Sequence, residues 1–254
     1  MPRKSAITSF ADQHAAKGGA AAVDRALTLL QCFRAGDAPL SLATLAQRTG
    51  LYKSTVLRLL ASLDHAMLVE RLPTGGYVLG PGVARLQHVY RASYSLERII
   101  MPALEELVAI TQESAALHVL WGAGAQAQRL SLFRVDSPQP IRDHYKAGDI
   151  LPMTGGVGAK VLMAFCNDAA LVAAHFASQE SQQLLATIRT TGYAAAVGDR
   201  DPEVAGIAAP IFKTDGQGQR VLTGALILTM PATRYTTAHI PQVVATARQL
   251  SHMV

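Results

Sequence analysis

The chain runs to 254 residues, half of them hydrophobic, with 23 Lys and Arg against 18 Asp and Glu and two cysteines. That length suits two modest domains, two cysteines exclude a disulfide-stapled scaffold, and no apolar run is long enough to span a membrane. Charge is uneven: residues 1–91 hold 11 Lys/Arg against 5 Asp/Glu and the remainder 12 against 13, so the basic excess sits at the front, as an electrostatic footprint for nucleic acid would.

Residues 1–20 are rich in Ala, Gly, Ser and Lys without sustained periodicity, which predicts a disordered arm. Arg3 and Lys4 have no apolar core behind them, so a secretory signal is not expected. Cys32 and Cys166 each lie among apolar residues, predicting buried free thiols in a reducing cytoplasm. From Val23 a helix is expected, with Val23, Ala26, Leu27 and Leu30 on one face, ending before Gly36-Asp37-Ala38-Pro39.

The stretch from Ser41 to Leu63 organises the rest of the chain. Leu42, Leu45, Ala46 and Thr49 fall on one face of a first helix, with Ser41 as its N-cap and Gly50 just past its end. Val56, Leu59, Leu60 and Leu63 repeat the spacing in a second helix, whose opposite face carries Lys53, Ser54, Thr55, Arg58 and Ser62. Two helices about a Gly turn, the second basic and hydroxylic on one side, describe a helix-turn-helix. Lys53 and Arg58 suit phosphates or guanine edges, and Ser54 and Thr55 suit phosphate near a helix N-terminus. Residues 67–71 and 77–79 are β-rich and flank Pro73-Thr74-Gly75-Gly76, which predicts a hairpin; directly after a recognition helix it is a wing, placing Arg71, Gly75 and Gly76 at the DNA backbone. This domain is set at 21–81.

Helices are expected from about Val83 to Arg91 and from Leu96 to Thr111, with a linker helix assigned to 82–95 and a second domain to 96–254. In that domain strands are predicted at Ala115–Trp121, Arg129–Val135, Ile207–Phe212 and Leu222–Met230, with helices at Val157–Phe165, Ala169–Phe176, Gln179–Thr190 and Thr237–Met253. Strand pairs joined by turns, with flanking helices, argue for an antiparallel α+β sheet. Gly155-Gly156-Val157-Gly158 opens the first of these helices. Its uncovered N–H groups and dipole suit a carboxylate, and a tight turn packed on a strand explains the same residues. The run lacks the Gly-Lys-Ser/Thr ending of a phosphate-binding loop.

The ordered pieces VDRALTLL (23–30), LSLATLAQRTGLYKSTVLRLLASL (40–63), LVE (68–70), GGYVLG (75–80), AGDILPM (147–153), RTTGYA (189–194), IAAPIF (207–212) and MPATRYT (230–236) together resemble the IclR family of bacterial transcriptional regulators. The resemblance implies a winged helix-turn-helix, a linker helix and a GAF-like effector-binding domain, in a homodimer or homotetramer that binds double-stranded operator DNA. It also points to an effector pocket at Thr154, Gly155, Gly156, Val157, Gly158, Ala196, Val204, Gly206, Ile227 and Thr229. There are departures. Tyr52 stands where the family usually has Pro, giving up a preset φ but offering a hydroxyl near DNA. Ala196 replaces a frequent acidic residue, and Ile227 and Thr229 stand at two small hydroxylic positions. Those changes predict a more apolar pocket, for a small organic acid with an apolar or aromatic body.

Enzymatic readings fare less well. No nucleophile-elbow pattern occurs, and the eight histidines are scattered without metal-ligand spacing, so neither catalytic residues, a metal nor a cofactor is expected. An enzyme acting on a small acid, a non-specific architectural DNA-binding protein, and a module using its helix pair for protein contacts are the alternatives.

Overall fold

The computed structural model describes Ser9, Asp12, Ala15, Ala16 and residues 18–93 and 96–254. The expected arm, residues 1–20, lies largely outside the described residues, though Asp12 accepts from Arg25 Nε at 2.8 Å. The chain divides into two compact units, residues 1–94 and 95–254.

The first unit contains α1 (Ala21–Gln31), α2 (Leu42–Thr49), α3 (Lys53–His65), the hairpin strands β1 (Val69–Arg71) and β2 (Tyr77–Leu79), and α4 (Pro81–Ser93). Ser41 caps α2 by accepting from Thr44 N at 3.1 Å, and Gly50 turns the chain at φ 67°. Both arise from residue type: a hydroxyl satisfies a free first-turn N–H, and only glycine takes a left-handed φ without cost. Leu45, Val56, Leu60 and Leu63 are buried against Leu29, Leu40, Val69 and Tyr77. Arg48 makes a bidentate ion pair with Asp37 and donates to the Cys32 carbonyl, tying the loop after α1 to α2. Hydrogen bonds from Arg48 and from the Arg34 N–H hold the Asp37 carboxyl down to about 2.

The face of α1 differs from expectation. Val23 and Leu27 point to solvent, and Leu29 enters the core, with Ala26 and Leu30 beside it. The four residues do share a face, but the helix is rotated so that only part of that stripe meets α2 and α3. Cys32 and Cys166 are free and half-buried rather than fully buried.

The second unit holds α5 (Leu96–Thr111), β3 (Ser114–Trp121), β4 (Gln128–Val135), β5 (Ile150–Leu151), α6 (Val157–Phe165), α7 (Ala169–His175), α8 (Gln179–Thr191), β6 (Ala194–Val197), β7 (Val204–Thr214), β8 (Arg220–Pro231) and α9 (Ile240–Met253). The strands form one six-stranded antiparallel sheet in the order β5-β4-β3-β8-β7-β6. One face packs Leu117, Ile207, Leu226 and Leu228 against α5 and α9. The other carries small side chains, Ala116, Ala194, Ala208, Ala225 and Gly206, and receives α6. A Cβ on Gly158 would overlap the Ile227 side chain, and one on Gly206 would lie 2.8 Å from Val157 Cγ2. Those two glycines let α6 lie close to β7 and β8.

Two strands, β5 and β6, are additional to those expected from sequence, and the final α-helix starts at Ile240 after a 3₁₀ turn over Thr237–His239. The β3–β4 ladder contains a bulge: Leu117 pairs with Phe133 and His118 with Ser131, leaving Leu132 as an extra residue on β4.

Candidate functional site

The exposed end of α3 comes first. Tyr52 is its N-cap residue, at φ −63° and ψ 143°, with no side-chain cap bond. The first-turn N–H groups therefore stay uncovered at the positive end of the helix dipole. Tyr52, Lys53, Ser54 and Arg58 are exposed and Thr55 is half-buried. Lys53 and Arg58 form no ion pair among the described residues. Leu57 is 47% exposed on the same side, an apolar group that a search for a polar stripe passes over. Such a side chain suits a thymine methyl.

In the hairpin, Arg71 is exposed, with its guanidinium 6.0 Å from the centre of the Tyr77 ring. Gly75 turns the tip at φ 88° in open space. Gly76 does different work: a Cβ there would lie 2.6 Å from Pro39 Cβ, so it allows β2 to pair through Tyr77 with Leu40.

The φ of Tyr52 is the angle a proline ring would impose, and its N–H makes no backbone hydrogen bond among the described residues. Tyr52→Pro is therefore expected to stabilise this unit by about 0.5 kcal/mol, by restricting the unfolded chain. Urea midpoints of the two proteins check it.

The second unit encloses a cavity between the N-terminus of α6 and the small-residue face of the sheet, with about 50 Å³ of free space at its centre. From α6 and the turn before it come Gly156, Val157 and Gly158; from β6 and β7, Ala196, Val204 and Gly206; from β8, Ile227 and Thr229. The ladder explains the grouping, since Ala196 pairs with Gly206, Gly206 with Thr229 and Ala116 with Ile227. Thr154 and Gly155 are not in the lining: Thr154 is exposed, and Gly155 contributes its carbonyl to Arg129 instead. Thr229 Oγ1 donates to the Ser114 carbonyl at 3.5 Å, across the β3–β8 ladder.

The expected apolar character is only half of what the cavity holds. His118, Arg129, Arg134, Asp143, Tyr145, Asp199, Arg200 and Asp201 also line it. Arg129 is 3% exposed; its Nη1 donates to the Pro152 and Gly155 carbonyls at 2.7 and 2.8 Å, and its Nε has no hydrogen-bond partner among the described residues. Arg129 Nη2 lies beside Gly156, 3.2 Å from where a Cβ would stand. His118 is 7% exposed and its Nδ1 is likewise unpartnered. Arg200 stacks over Tyr145 at 4.2 Å. Arg134 pairs with Asp143 and Asp136.

These charges act on one another. Burial first, then the guanidiniums of Arg129, Arg134 and Arg200, push the His118 imidazole far below its ordinary range, so the ring is neutral. Burial and Arg200 bring Arg129 down to about 10, still a cation at neutral pH. Asp143 is paired with Arg134 and Asp199 with Lys160, so Arg129 and Arg200, which form no ion pair among the described residues, are the lining charges that would meet an anion.

One amide at the start of α6 already has an anionic partner. Gly156 N donates to Asp199 Oδ2 at 2.8 Å, and Lys160 Nζ reaches Asp199 Oδ1 at 2.5 Å. Among the described residues no cluster of His, Cys, Asp and Glu is arranged to hold a metal ion. No helix among them is long and apolar enough to cross a membrane.

A helix pair with an exposed basic helix and a hairpin after it, joined in sequence to a sheet domain with a cavity lined by apolar and charged side chains, defines a winged helix-turn-helix protein with a separate cavity-bearing domain. The chain belongs to the IclR family of bacterial transcriptional regulators: residues 22–73 match the IclR helix-turn-helix domain and residues 88–254 the bacterial transcriptional regulator IclR C-terminal domain. It is 32% identical to the HTH-type transcriptional regulator TtgV of Pseudomonas putida over 62% of this chain and 59% of that protein, so less than two thirds of TtgV is spanned. It is 27% identical to the HTH-type transcriptional regulator BhcR of Paracoccus denitrificans over 92% of this chain and 87% of that protein. Among solved structures, an IclR-type protein from Silicibacter sp. TM1040 shares 28% identity at a TM-score of 0.79, covering 91% of this chain and 95% of that one. An IclR homologue of Microbacterium hydrocarbonoxydans, complexed with 4-hydroxybenzoate, shares the fold at a TM-score of 0.73 and 19% identity, over 91% and 98% of the two chains.

Proposed function

We propose that this chain is a ligand-responsive transcriptional regulator. It binds operator DNA through Tyr52, Lys53, Ser54, Thr55 and Arg58 of the recognition helix, with Arg71 and the Gly75–Gly76 turn at the backbone, and binds a small organic acid in the C-terminal cavity. The observation that carries the reading is the pairing, in one chain, of an exposed, uncapped basic helix end with a cavity bordered by the buried, unpaired guanidinium of Arg129. Phosphate contacts supply much of the affinity and make it fall with salt, while base-edge contacts from α3 supply specificity. The acid acts by favouring one arrangement of the DNA-binding units over another, since a ligand with equal affinity for both shifts nothing. The chain works as a homodimer or homotetramer in the cytoplasm, and no turnover accompanies binding. Val23, Leu27, Leu86 and Val89 are exposed apolar side chains of α1 and α4, which supports an interface there.

Footprinting on DNA upstream of its own gene locates the operator. Arg58→Ala then weakens operator binding by about tenfold to a hundredfold, the range of one lost base-edge or phosphate contact, and leaves ligand affinity unchanged. A fluorescence-anisotropy titration in which Arg58→Ala matches wild type removes α3 from the interface.

A further inference from the structure

The amide end of α6 would be the obvious seat for a ligand carboxylate, because a helix N-terminus presents free N–H groups and a positive dipole end. In this chain a carboxylate is already there. Asp199 accepts from Gly156 N and pairs with Lys160 Nζ, so it takes up one amide of that end and the nearest lysine. A ligand anion arriving at that end meets a fixed negative charge.

Two further polar groups, each with an unpartnered nitrogen, border the same end. Arg129 is buried, is fixed in place by two carbonyls, and keeps Nε without a partner. His118 is buried with Nδ1 unpartnered, and both side chains line the cavity. A buried polar group without a partner is costly, and a buried guanidinium costs more, so such groups mark where a complementary ligand group belongs. Both stand on one face of the sheet, on neighbouring strands: Arg129 pairs with Leu120 and His118 with Ser131 in the β3–β4 ladder. The apolar lining comes from Val157 on α6 and from Val204 and Ile227 of the sheet itself.

We propose that the ligand carboxylate is held by Arg129 and His118, on the sheet side of the cavity. The ligand is then a small monocarboxylate whose apolar part faces Val157 and Ile227. Arg129 and His118 are binding residues under this assignment. The inference rests on the acid-binding reading of the cavity and specifies its polar contacts.

The test uses the full chain in calorimetric titrations with acetate, pyruvate, benzoate and 4-hydroxybenzoate, each beside its neutral primary amide. At least one acid binds wild type tenfold or more tightly than its amide. Arg129→Met abolishes that preference while leaving the amide affinity within twofold, and Arg129→Lys restores part of it. If Arg129→Met does not fold, as judged by circular dichroism, Arg129→Lys carries the comparison: a fall of the acid-to-amide ratio by threefold or more supports the assignment, and an unchanged ratio overturns it. If an acid and its amide bind wild type alike, or Arg129→Met keeps the acid preference, this assignment falls and the acid-binding reading stands on other donors. If none of the four acids binds wild type, the acid-binding reading falls and takes this assignment with it.

Discussion

Gly80→Ala destabilises the N-terminal unit by about 3 kcal/mol, at the upper end of what overpacking a buried site costs. A Cβ at this position would overlap the carbonyl oxygen of Met67 and stand 3.0 Å from its carbonyl carbon and 3.2 Å from that of Val69. All three are backbone atoms, so no side chain can swing aside. The backbone itself is pinned: Gly80 N donates to the Leu68 carbonyl at 2.9 Å and Gly82 N to that of Met67 at 2.7 Å. Met67 already sits at φ 60°, a left-handed angle that costs a side-chain-bearing residue on the order of 1 kcal/mol. The methyl group therefore pushes on the junction of α3, β1 and α4. Urea denaturation monitored by circular dichroism measures the shift, and operator binding falls with it. Loss of less than about 1 kcal/mol would mean that the junction yields.

The second large effect is expected in the other unit. Arg134→Met costs about 3 kcal/mol, the lower range for breaking a buried ion pair from one side. The Arg134 side chain is 5% exposed and that of Asp143 2%. Asp143 also accepts weakly from Tyr145 N at 3.3 Å, and its Oδ2 has no partner among the described residues. Removing the guanidinium leaves a buried carboxylate with little compensation. The pair also fastens the irregular stretch between β4 and β5 to the sheet. The double variant Arg134→Met with Asp143→Leu recovers most of the loss, because two apolar groups need no desolvation to meet. Thermal and urea unfolding of the single and double variants give both numbers, and equal instability of the two would rule out the unpaired charge as the cause.

Much of this architecture is legible in the sequence where one periodicity dominates. The spacing of Leu42, Leu45, Val56, Leu60 and Leu63, with Ser41 and Gly50 at their places, defines the helix pair because local capping and core packing agree there. The short strands are not legible. Ala194–Val197 is mostly alanine, which has little intrinsic preference for a strand, and Ile150–Leu151 is two residues long; both are strands because neighbouring strands offer free ladder groups. The rotation of α1 is hidden for a related reason, since its apolar stripe is wider than the groove it fills.

The candidate cavity is legible only in part. The family resemblance locates Gly156, Val157, Gly158, Ala196, Val204, Gly206, Ile227 and Thr229, yet leaves its polar half unmarked. Arg129 and Arg134 are five residues apart on β4, and strict alternation would send them to opposite faces. The extra residue Leu132 shifts the parity between them, so both meet the cavity. A bulge of that kind leaves no mark in hydropathy. Asp199 escapes a sequence reading because its role depends on a loop folding back onto α6, a contact spanning 39 residues to Lys160.

The free space in the cavity, about 50 Å³, has a temporal consequence. It admits a few water molecules, whereas pockets for drug-sized ligands run to several hundred Å³. An aromatic ring does not fit that space as it stands, so under the proposed acid-binding reading the lining side chains shift on binding: the observed association rate then climbs with concentration and levels off at the frequency of that shift.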